Sequence, residues 1–192
     1  QQKMLWDCHL DQRTAAEYIQ RLYDRFPTAG IEYFCIKTIH ILRRNAYVTE
    51  HLNHEGVSWK EGPPIDPAQP WYKALFADDL AKTDAMEAFS ATFPHPGVRF
   101  VSSSENYLEM LPEQASKGNA LVKAAELAGF RMENVYAIGD YYNDTELLEA
   151  AGVSVVPENA PDDLKEQADL VVGHCYQGAV ADLIEEIERR HR

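Results

Sequence analysis

The acidic segment at residues 139–144, with the sequence Gly-Asp-Tyr-Tyr-Asn-Asp, carries side chains that could bind a metal ion or an oxyanion. It follows the mostly apolar run 134–138, which we predict to be a strand, and Gly139 would allow a sharp turn there. Asp140 would then lie in the crevice beyond the strand. Asn143 and Asp144 begin the next helix, where polar side chains also cap free N–H groups. The segment alone is compatible with a chemical site, or with a turn followed by two helix caps.

Lys117 adds a second chemical group, 23 residues before Asp140. It stands at the predicted start of a helix, and one helix, one loop and one strand fit into the interval. A helix N-terminus attracts anions, and a lysine ammonium is a point charge suited to phosphate. An ordinary surface lysine would be slightly unfavourable at this positive helix end. The position of Lys117 therefore favours a phosphate site, and the alternative is an ordinary solvated surface lysine.

Alternating helices and strands in the C-terminal part must position these groups. Helical periodicity and stop signals predict helices at 117–127, 145–151, 160–168 and about 180–187, and strands at 134–138, 153–156 and 170–172. Ser116 is the predicted N-cap of the first helix, and Pro161 suits the first turn of the third. This alternation is typical of a parallel, doubly wound sheet, which binds ligands at the carboxyl ends of its strands.

The N-terminal part is predicted to be a second mixed α and β region. Its predicted helices are 13–26, 45–54 and 80–89, and its predicted strands lie within 31–42 and at 71–76, 98–102 and 107–110. The proline-rich segment 61–70 is predicted to be a loop or an extended connection. We therefore divide the chain into domains 1–110 and 111–192.

Composition and charge narrow the class of protein. The 192 residues are 45% hydrophobic and 26% charged, which excludes collagen-like and disordered chains. The net charge of -13 argues against nucleic-acid binding. The sequence has no apolar run of about 18 residues and no signal-peptide core. We therefore expect neither a membrane-spanning helix nor export. The three scattered cysteines are not a disulfide framework, so a cytoplasmic location is expected. His51 and His54 lack a third ligand and are a weak metal candidate.

These residues together resemble the haloacid dehalogenase (HAD) superfamily of phosphatases, and more narrowly its Cof-type branch. The resemblance spans about residues 104–185, with four clusters in order and at family-like spacing. The residues that carry it are Ser103, Leu108, Glu109, Met110, Ser116, Lys117, Gly118, Leu121, Gly139, Asp140, Asn143, Asp144, Leu147, Leu148, Ala151, Gly152, Asn159, Ala160, Lys165, Ala168 and Asp169.

The resemblance implies a role for each site residue. Lys117 looks like the cation that steadies the phosphoryl group and the nucleophile, and Asp140 looks like a Mg²⁺ ligand. Asn143 is similar to the residue that helps to place the phosphoryl or metal shell, and Asp144 to a second, supporting acid. Mg²⁺ suits such a site because it accepts one or two carboxylates together with waters and phosphate oxygens. The implied reaction transfers a phosphoryl group from a small metabolite, such as a sugar phosphate, to an Asp carboxylate and then hydrolyses the phosphoaspartate.

The implied fold is α/β, with residues 111–192 as the C-terminal portion of a Rossmann-like HAD core, a parallel sheet with helices on both sides. Residues 1–110 would be the α/β cap. The family's nucleophile motif, Asp-x-Asp after an apolar strand, is not found, since Asp78-Asp79 and the pair Asp7 and Asp11 have the wrong spacing. We expect it, and a second-motif Ser or Thr, upstream of Gln1. The chain is therefore predicted to be an inactive fragment of a phosphatase.

A core without its central strand would leave one edge of strand 134–138 unpaired, which predicts a homodimer or aggregation through that edge. The expected partner is otherwise a small phosphorylated metabolite, with neither nucleic acid nor membrane. A catalytically inactive HAD-fold binding or regulatory protein is the alternative, and the upstream sequence discriminates the two. A receiver-type domain would explain the alternating C-terminal part but not the first 110 residues.

Each of three further features is open to two interpretations. Tyr141 and Tyr142 could contact a substrate, or one of them could pack on the sheet. Asn159 could border the site or cap the following helix. The pair Arg43 and Arg44 could bind a substrate anion in the cap, or could end a strand in solvent.

Overall fold

The computed structural model describes residues 4–62 and 69–190, and it divides the chain into two compact units, Gln1–Ala115 and Ser116–Arg192. The boundary predicted after residue 110 is too early. It would cut the strand Tyr107–Pro112, whose residues up to Pro112 pair with a neighbouring strand of the first unit. The change in sequence composition after residue 110 therefore falls inside a strand and does not mark the end of the first unit's sheet.

Over its described residues, the first unit consists of one sheet and three helices. Its strands are β1 Gly30–Phe34, β2 Ile39–Arg43, β3 Trp59–Glu61, β4 Lys73–Ala77, β5 Val98–Ser104 and β6 Tyr107–Pro112, and its helices are α1 Gln12–Arg25, α2 Ala46–Glu55 and α3 Leu80–Ser90. The strand order is β3-β2-β1-β4-β6-β5. Only β2 and β3 are parallel among the described pairs, and the other neighbours are antiparallel.

Two strands of this sheet differ from the prediction. β3 was not predicted, because its three residues are all exposed and show no alternation of apolar and polar side chains. β4 begins at Lys73, whereas Trp71 forms an isolated bridge with Leu10. Within the proline-rich segment, residues 63–68 lie outside the described residues.

The main core of the first unit lies on the sheet face that receives α1. The apolar stripe of α1 consists of Ala15, Tyr18, Ile19 and Leu22, which recur at helical spacing and are all buried. Asp11 caps the helix by accepting the Thr14 N–H at 2.9 Å. The buried stripe and the cap explain why a helix forms at Gln12–Arg25, one residue earlier at each end than the predicted range 13–26.

Arg43 closes the other end of α1. Its guanidinium donates hydrogen bonds to the carbonyl oxygens of Tyr23 and Phe26 at 3.0 and 2.7 Å, and it lies 3.6 Å from the centroid of the Tyr23 ring. Basic side chains stabilise the last carbonyls of a helix in this way. Arg44 instead pairs with Glu61. Both arginines are therefore engaged in holding the first unit together.

Asp78, half of the acid pair with the wrong motif spacing, is a structural residue. It is buried and accepts hydrogen bonds from Thr28 Oγ1 at 2.7 Å, Lys82 Nζ at 2.9 Å and the Asp79 N–H at 2.9 Å. Burial opposes ionisation of the Asp78 carboxyl, but these hydrogen bonds outweigh it and lower its pKa. Asp79 caps α3. The pair ties α3 to the sheet.

We expect Asp78→Asn to lower the free energy of unfolding of the first unit by about 1–3 kcal/mol at pH 7. A lowered pKa means that the carboxylate stabilises the fold above its unfolded-state pKa of about 3.9, and loses this effect as the pH falls through the lower folded value. The difference from wild type should therefore shrink below about pH 4. Urea unfolding followed by tryptophan fluorescence measures this unit, because all three tryptophans precede residue 115.

Asp84→Asn is the matched control for this prediction. Asp84 lies on α3, the helix that Asp78 ties to the sheet, and is exposed, so its change should stay within about 0.5 kcal/mol. A difference between wild type and Asp78→Asn that is the same at pH 3 and pH 7 would contradict the carboxylate explanation.

The second unit confirms the predicted alternation. Its strands are β7 Tyr136–Ile138, β8 Val153–Pro157 and β9 Leu170–Val172, and its helices are α4 Lys117–Ala128, α5 Thr145–Ala150, α6 Asp162–Gln167 and α7 Ala179–Arg190. The strands form a parallel sheet in the order β7-β8-β9. Two predicted starts are too early: Met132–Asn134 form a 3₁₀ turn before β7, and Pro161 precedes α6 instead of entering its first turn.

The remaining structural features concern cysteines, histidines and helix length. Cys8, Cys35 and Cys175 are not joined to one another by disulfides. His51 Nδ1 lies 2.7 Å from the buried Glu32 carboxylate, an ion-pair distance without hydrogen-bond geometry. Within the described ranges, no set of three or more His, Cys, Asp and Glu side chains is placed to hold a metal. No described helix combines the length and the apolar character needed to cross a membrane.

Candidate functional site

An open cleft of about 430 Å³ lies in the second unit at the carboxyl ends of β7 and β8. Its walls come from the start of α4, the ends of the two strands and the start of α7. The lining residues are Lys117, Ile138, Gly139, Asp140, Asp144, Leu147, Pro157, Cys175, Gly178, Ala179 and Val180. A parallel sheet places ligands at this edge, and three of the four predicted site residues lie there.

Lys117 is the first residue of α4. Ser116 caps the helix as predicted, by accepting the Asn119 N–H at 3.1 Å. Lys117 Nζ donates to Asp144 Oδ1 at 2.5 Å. The ammonium therefore sits beside a helix N-terminus, where the free N–H groups and the lysine charge both favour an anion.

Asp144 is the buried centre of the site, with 6% of its surface exposed. One carboxylate oxygen accepts from Lys117 Nζ, and the other accepts from the backbone N–H of Asp140 at 3.2 Å. Its side chain makes no cap hydrogen bond to α5. The interpretation of Asp144 as a helix cap is therefore wrong. The residue joins α4 to the loop after β7 and neutralises part of the lysine charge.

Gly139 is needed for a different reason from the predicted sharp turn. It is not among the glycines with positive φ. A Cβ atom at this position would lie 2.5 Å from Asp144 Cβ. Only glycine lets the end of β7 approach the buried carboxylate this closely, so Gly139 makes room for Asp144.

Gly118 performs the same function between two helices. A Cβ atom at Gly118 would lie 2.3 Å from the carbonyl oxygen of Glu146, an atom of the α5 backbone. Side-chain rotation cannot relieve a contact with backbone. The close approach of α4 and α5 also holds Lys117 and Asp144 within reach, since each residue stands at the start of one of these helices.

We expect Gly118→Ala to destabilise α4 and α5 by about 1–3 kcal/mol, because the added methyl overpacks the helix contact. Intrinsic helix propensity alone would give the opposite sign, a stabilisation of about 0.5–1 kcal/mol. Hydrogen–deuterium exchange of amides in the two helices measures the effect, with faster exchange expected. Slower exchange in the variant would show that the helices separate without cost and would contradict the packing argument.

Asp140 is the cleft carboxylate that fits a metal ion. Its side chain is exposed and has no hydrogen-bond partner within residues 4–62 and 69–190. Asp144, by contrast, is occupied by its two donors. Mg²⁺ accepts one or two protein carboxylates and completes its shell with waters and substrate phosphate oxygens. The Asp140 carboxylate could supply one oxygen ligand to such an ion, and Lys117 on the same cleft would attract a phosphate.

Asn143 is the predicted site residue that the structure places elsewhere. It lies exposed in the 3₁₀ turn Tyr142–Asp144 and is not part of the cleft lining. Tyr141 and Tyr142 are both exposed, so the expectation that one of them packs on the sheet is wrong. The loop places Asp140 and the buried Asp144 on the cleft, and it leaves the three residues between them exposed and outside the cleft lining.

Cys175 lines the cleft, although the sequence analysis assigned it no part in the site. Its backbone N–H donates to Asn159 Oδ1 at 2.9 Å. Asn159 neither lines the cleft nor caps the following helix; its side chain holds the backbone of the cleft residue Cys175. No local signal in the sequence joins residues so far apart, so this contact could not be predicted.

A family model of haloacid dehalogenase-like hydrolases matches residues 1–184. The chain belongs to this family. The match confirms the resemblance to the HAD superfamily and its Cof-type branch, and it covers both units. A haloacid dehalogenase-like hydrolase from Bacteroides thetaiotaomicron has a similar fold, with a TM-score of 0.81 and 24% identity over 97% of this chain and 70% of that one.

Two curated relatives are phosphatases by name. The 5-amino-6-(5-phospho-D-ribitylamino)uracil phosphatase YwtE of Bacillus subtilis is 37% identical over 124 residues, or 64% of this chain and 43% of its own length. The pyridoxal phosphate phosphatase YbhA of Escherichia coli is 36% identical over 115 residues, or 59% and 41%. The chain spans less than half the length of these two relatives.

Proposed function

We propose that this chain is part of a Mg²⁺-dependent phosphatase that hydrolyses phosphate monoesters of small metabolites, such as sugar phosphates. The observation that carries the proposal is the placement of Lys117 and Asp140 on one cleft, with the buried Asp144 joining them. Membership of the HAD hydrolase family and relatives named as phosphatases support it. We place the protein in the cytoplasm.

Each residue contributes one physical effect. Lys117 and the free N–H groups at the start of α4 would bind the phosphate dianion. Asp144 holds the Lys117 ammonium in position. The ammonium is therefore already oriented before the reaction begins. Asp140 would hold Mg²⁺, which when bound offsets negative charge on the phosphoryl oxygens. Asn143 is exposed in the turn Tyr142–Asp144. It would contact the phosphoryl group only when substrate is bound.

The attacking group would be an Asp carboxylate that precedes residue 1. Its oxygen would form a bond to phosphorus as the ester P–O bond breaks, and the leaving alkoxide would take a proton from water to become the alcohol. Water then cleaves the phosphoaspartate to inorganic phosphate and regenerates the carboxylate. The second unit would be the C-terminal portion of the catalytic core, and the first unit would be the α/β cap.

Turnover of p-nitrophenyl phosphate at millimolar Mg²⁺ tests the proposal. We expect no turnover by the 192-residue chain, and turnover that chelation abolishes in a gene product extended upstream to include Asp-x-Asp. Robust turnover by this chain alone would contradict the role of the upstream carboxylate. An extended protein that lacks activity would favour the alternative, a HAD-fold binding or regulatory protein.

We also propose that the chain forms a homodimer through β7. In the part of the chain that the structure describes, β7 pairs only with β8, which leaves its outer edge open. Unpaired N–H and C=O groups on such an edge accept a strand from another chain. Light scattering at tens of micromolar should give the mass of a dimer, and a clean monomer would contradict the proposal.

A further inference from the structure

Tyr142 lies in the middle of the loop that joins Asp140 to Asp144. Both aspartates line the cleft, whereas Tyr142 is exposed and outside the cleft lining. The Tyr142 hydroxyl donates a hydrogen bond to Asp163 Oδ1 at 3.0 Å. Asp163 belongs to α6, which follows later in the chain. This contact therefore ties the middle of the loop to a separate helix.

The other hydrogen bonds of the loop are local. The Asp140 N–H donates to Asp144 Oδ2 at 3.2 Å, and the Asp144 N–H donates to the Tyr141 carbonyl oxygen at 2.9 Å. Thr145 Oγ1 donates to the Tyr142 carbonyl oxygen at 2.8 Å. These three bonds set the shape of the loop, and the Tyr142 hydroxyl sets where its middle lies relative to α6.

The helix α6 can serve as a fixed point because it is itself held on the sheet. Leu164, the neighbour of Asp163, is buried. Lys165 Nζ donates to the carbonyl oxygen of Glu158, the residue after β8, at 3.3 Å. The acceptor of the Tyr142 hydroxyl therefore has a defined position.

The Tyr142 phenol keeps the proton that this contact requires. The hydrogen bond to the Asp163 carboxylate is the main cause that raises the pKa of the Tyr142 hydroxyl above its usual value. A tyrosine without such a partner already ionises only near pH 10. Tyr142 is therefore a hydrogen-bond donor throughout the neutral pH range.

The position of the loop matters because the Asp140 carboxylate has little other support. It has no hydrogen-bond partner within residues 4–62 and 69–190, and the second cleft carboxylate, Asp144, is occupied by Lys117 and by the Asp140 N–H. A Mg²⁺ ion that takes one oxygen from the cleft and the rest from water and phosphate depends on where that oxygen is placed. Residues that orient a metal ligand affect metal affinity without contacting the ion.

We propose that Tyr142 is a positioning residue, which fixes the loop 140–144 through Asp163 and thereby presents the Asp140 carboxylate to Mg²⁺. The inference rests on the proposed function, which assigns the ion to Asp140. Tyr142 itself contacts neither the ion nor the substrate. Loss of its hydroxyl should therefore weaken Mg²⁺ binding and leave the rate unchanged once the site is saturated.

Hydrogen–deuterium exchange of the metal-free 192-residue chain, followed by NMR, tests the effect on the loop. The N–H groups of Asp140 and Asp144 are protected by the loop's own hydrogen bonds. Tyr142→Phe removes only the hydroxyl and should speed their exchange about 3- to 10-fold, the effect of one lost hydrogen bond. Tyr141→Phe is the matched control in the same loop. Within the described residues the Tyr141 hydroxyl has no hydrogen-bond partner, so exchange should equal that of wild type.

The effect on the ion is measured in a protein extended upstream to include the nucleophile. The probe is the Mg²⁺ concentration that gives half-maximal turnover of p-nitrophenyl phosphate. Tyr142→Phe and Asp163→Ala should each raise it about 3- to 10-fold, with kcat at saturating Mg²⁺ within about twofold of wild type. The double variant should be no weaker than either single variant. Asp163→Asn keeps an oxygen acceptor for the hydroxyl and should behave like wild type.

The outcomes separate this inference from the proposed function. An unchanged Mg²⁺ requirement in Tyr142→Phe, together with a raised requirement in Asp140→Asn, would overturn the role of Tyr142 and leave the proposed function standing. Turnover that needs no Mg²⁺, or that Asp140→Asn does not affect, would overturn both. A lower kcat in Tyr142→Phe with the same Mg²⁺ requirement and a lower free energy of unfolding would show a merely structural role.

Discussion

Lys117→Met should lower kcat/KM for p-nitrophenyl phosphate about 100- to 1,000-fold in a protein extended upstream to include the nucleophile. The reason is that Lys117 is the cation of the cleft wall and stands at the N-terminus of α4. Removing one preorganised donor to a developing oxyanion has effects of this size in other enzymes. Methionine keeps the length of the side chain, so the loss would report charge and hydrogen bonding. Steady-state kinetics at saturating Mg²⁺ measure it.

Lys123→Met is the matched control for the lysine prediction. Lys123 is also on α4, but its ammonium pairs with Glu126 at 2.6 Å on the exposed side of the helix. Its substitution should leave kcat/KM within about twofold of wild type, because exposed helix pairs contribute little. A Lys117→Met enzyme that keeps more than a tenth of the wild-type kcat/KM would contradict the role assigned to Lys117.

Asp144→Asn should lower kcat/KM about 10- to 100-fold, the usual effect of losing a residue that orients a catalytic group. Asn keeps the shape of the side chain but cannot accept equally from Lys117 Nζ and the Asp140 N–H. Lys117 would then be free to move, since about half of its side chain is exposed. The two losses should not add: a Lys117→Met, Asp144→Asn double variant should be about as active as Lys117→Met alone.

Asp162→Asn is the control for Asp144→Asn. Asp162 is an exposed carboxylate at the start of α6 that pairs with Lys165, so activity should not change. Fully additive losses in the double variant would show that Asp144 acts independently of Lys117. In that case the hydrogen bond between them would have no part in catalysis.

The elements of the second unit could be predicted from sequence because each depends on local chemistry. The Ser116 hydroxyl caps its own helix, Gly129 ends that helix in the left-handed conformation, and the apolar runs at β7 and β8 are short and bounded by turns. The parallel sheet follows from the alternation of such elements. Errors occurred where local signals were absent, as in the three exposed residues of β3.

The types of the site residues and their positions along the chain also came from sequence alone. Asp140 directly follows a buried strand and Lys117 begins a helix, so the expectation of one cleft at the carboxyl edge of the sheet needed no coordinates. The family model matches residues 1–184, a range that includes Lys117, Asp140 and the sequence clusters around them.

Only the tertiary structure decided what each of these side chains contacts. The pairing of Lys117 with the buried Asp144 joins residues 27 positions apart, and the need for glycine at 139 and 118 depends on atoms of other segments. The exposure of Asn143 and of the two loop tyrosines likewise results from packing. Periodicity and capping act within a few residues, whereas burial and hydrogen-bond partners are set by which segments meet in three dimensions. For this reason the sequence determined the elements and the chemistry available, and the fold determined which groups share the cleft.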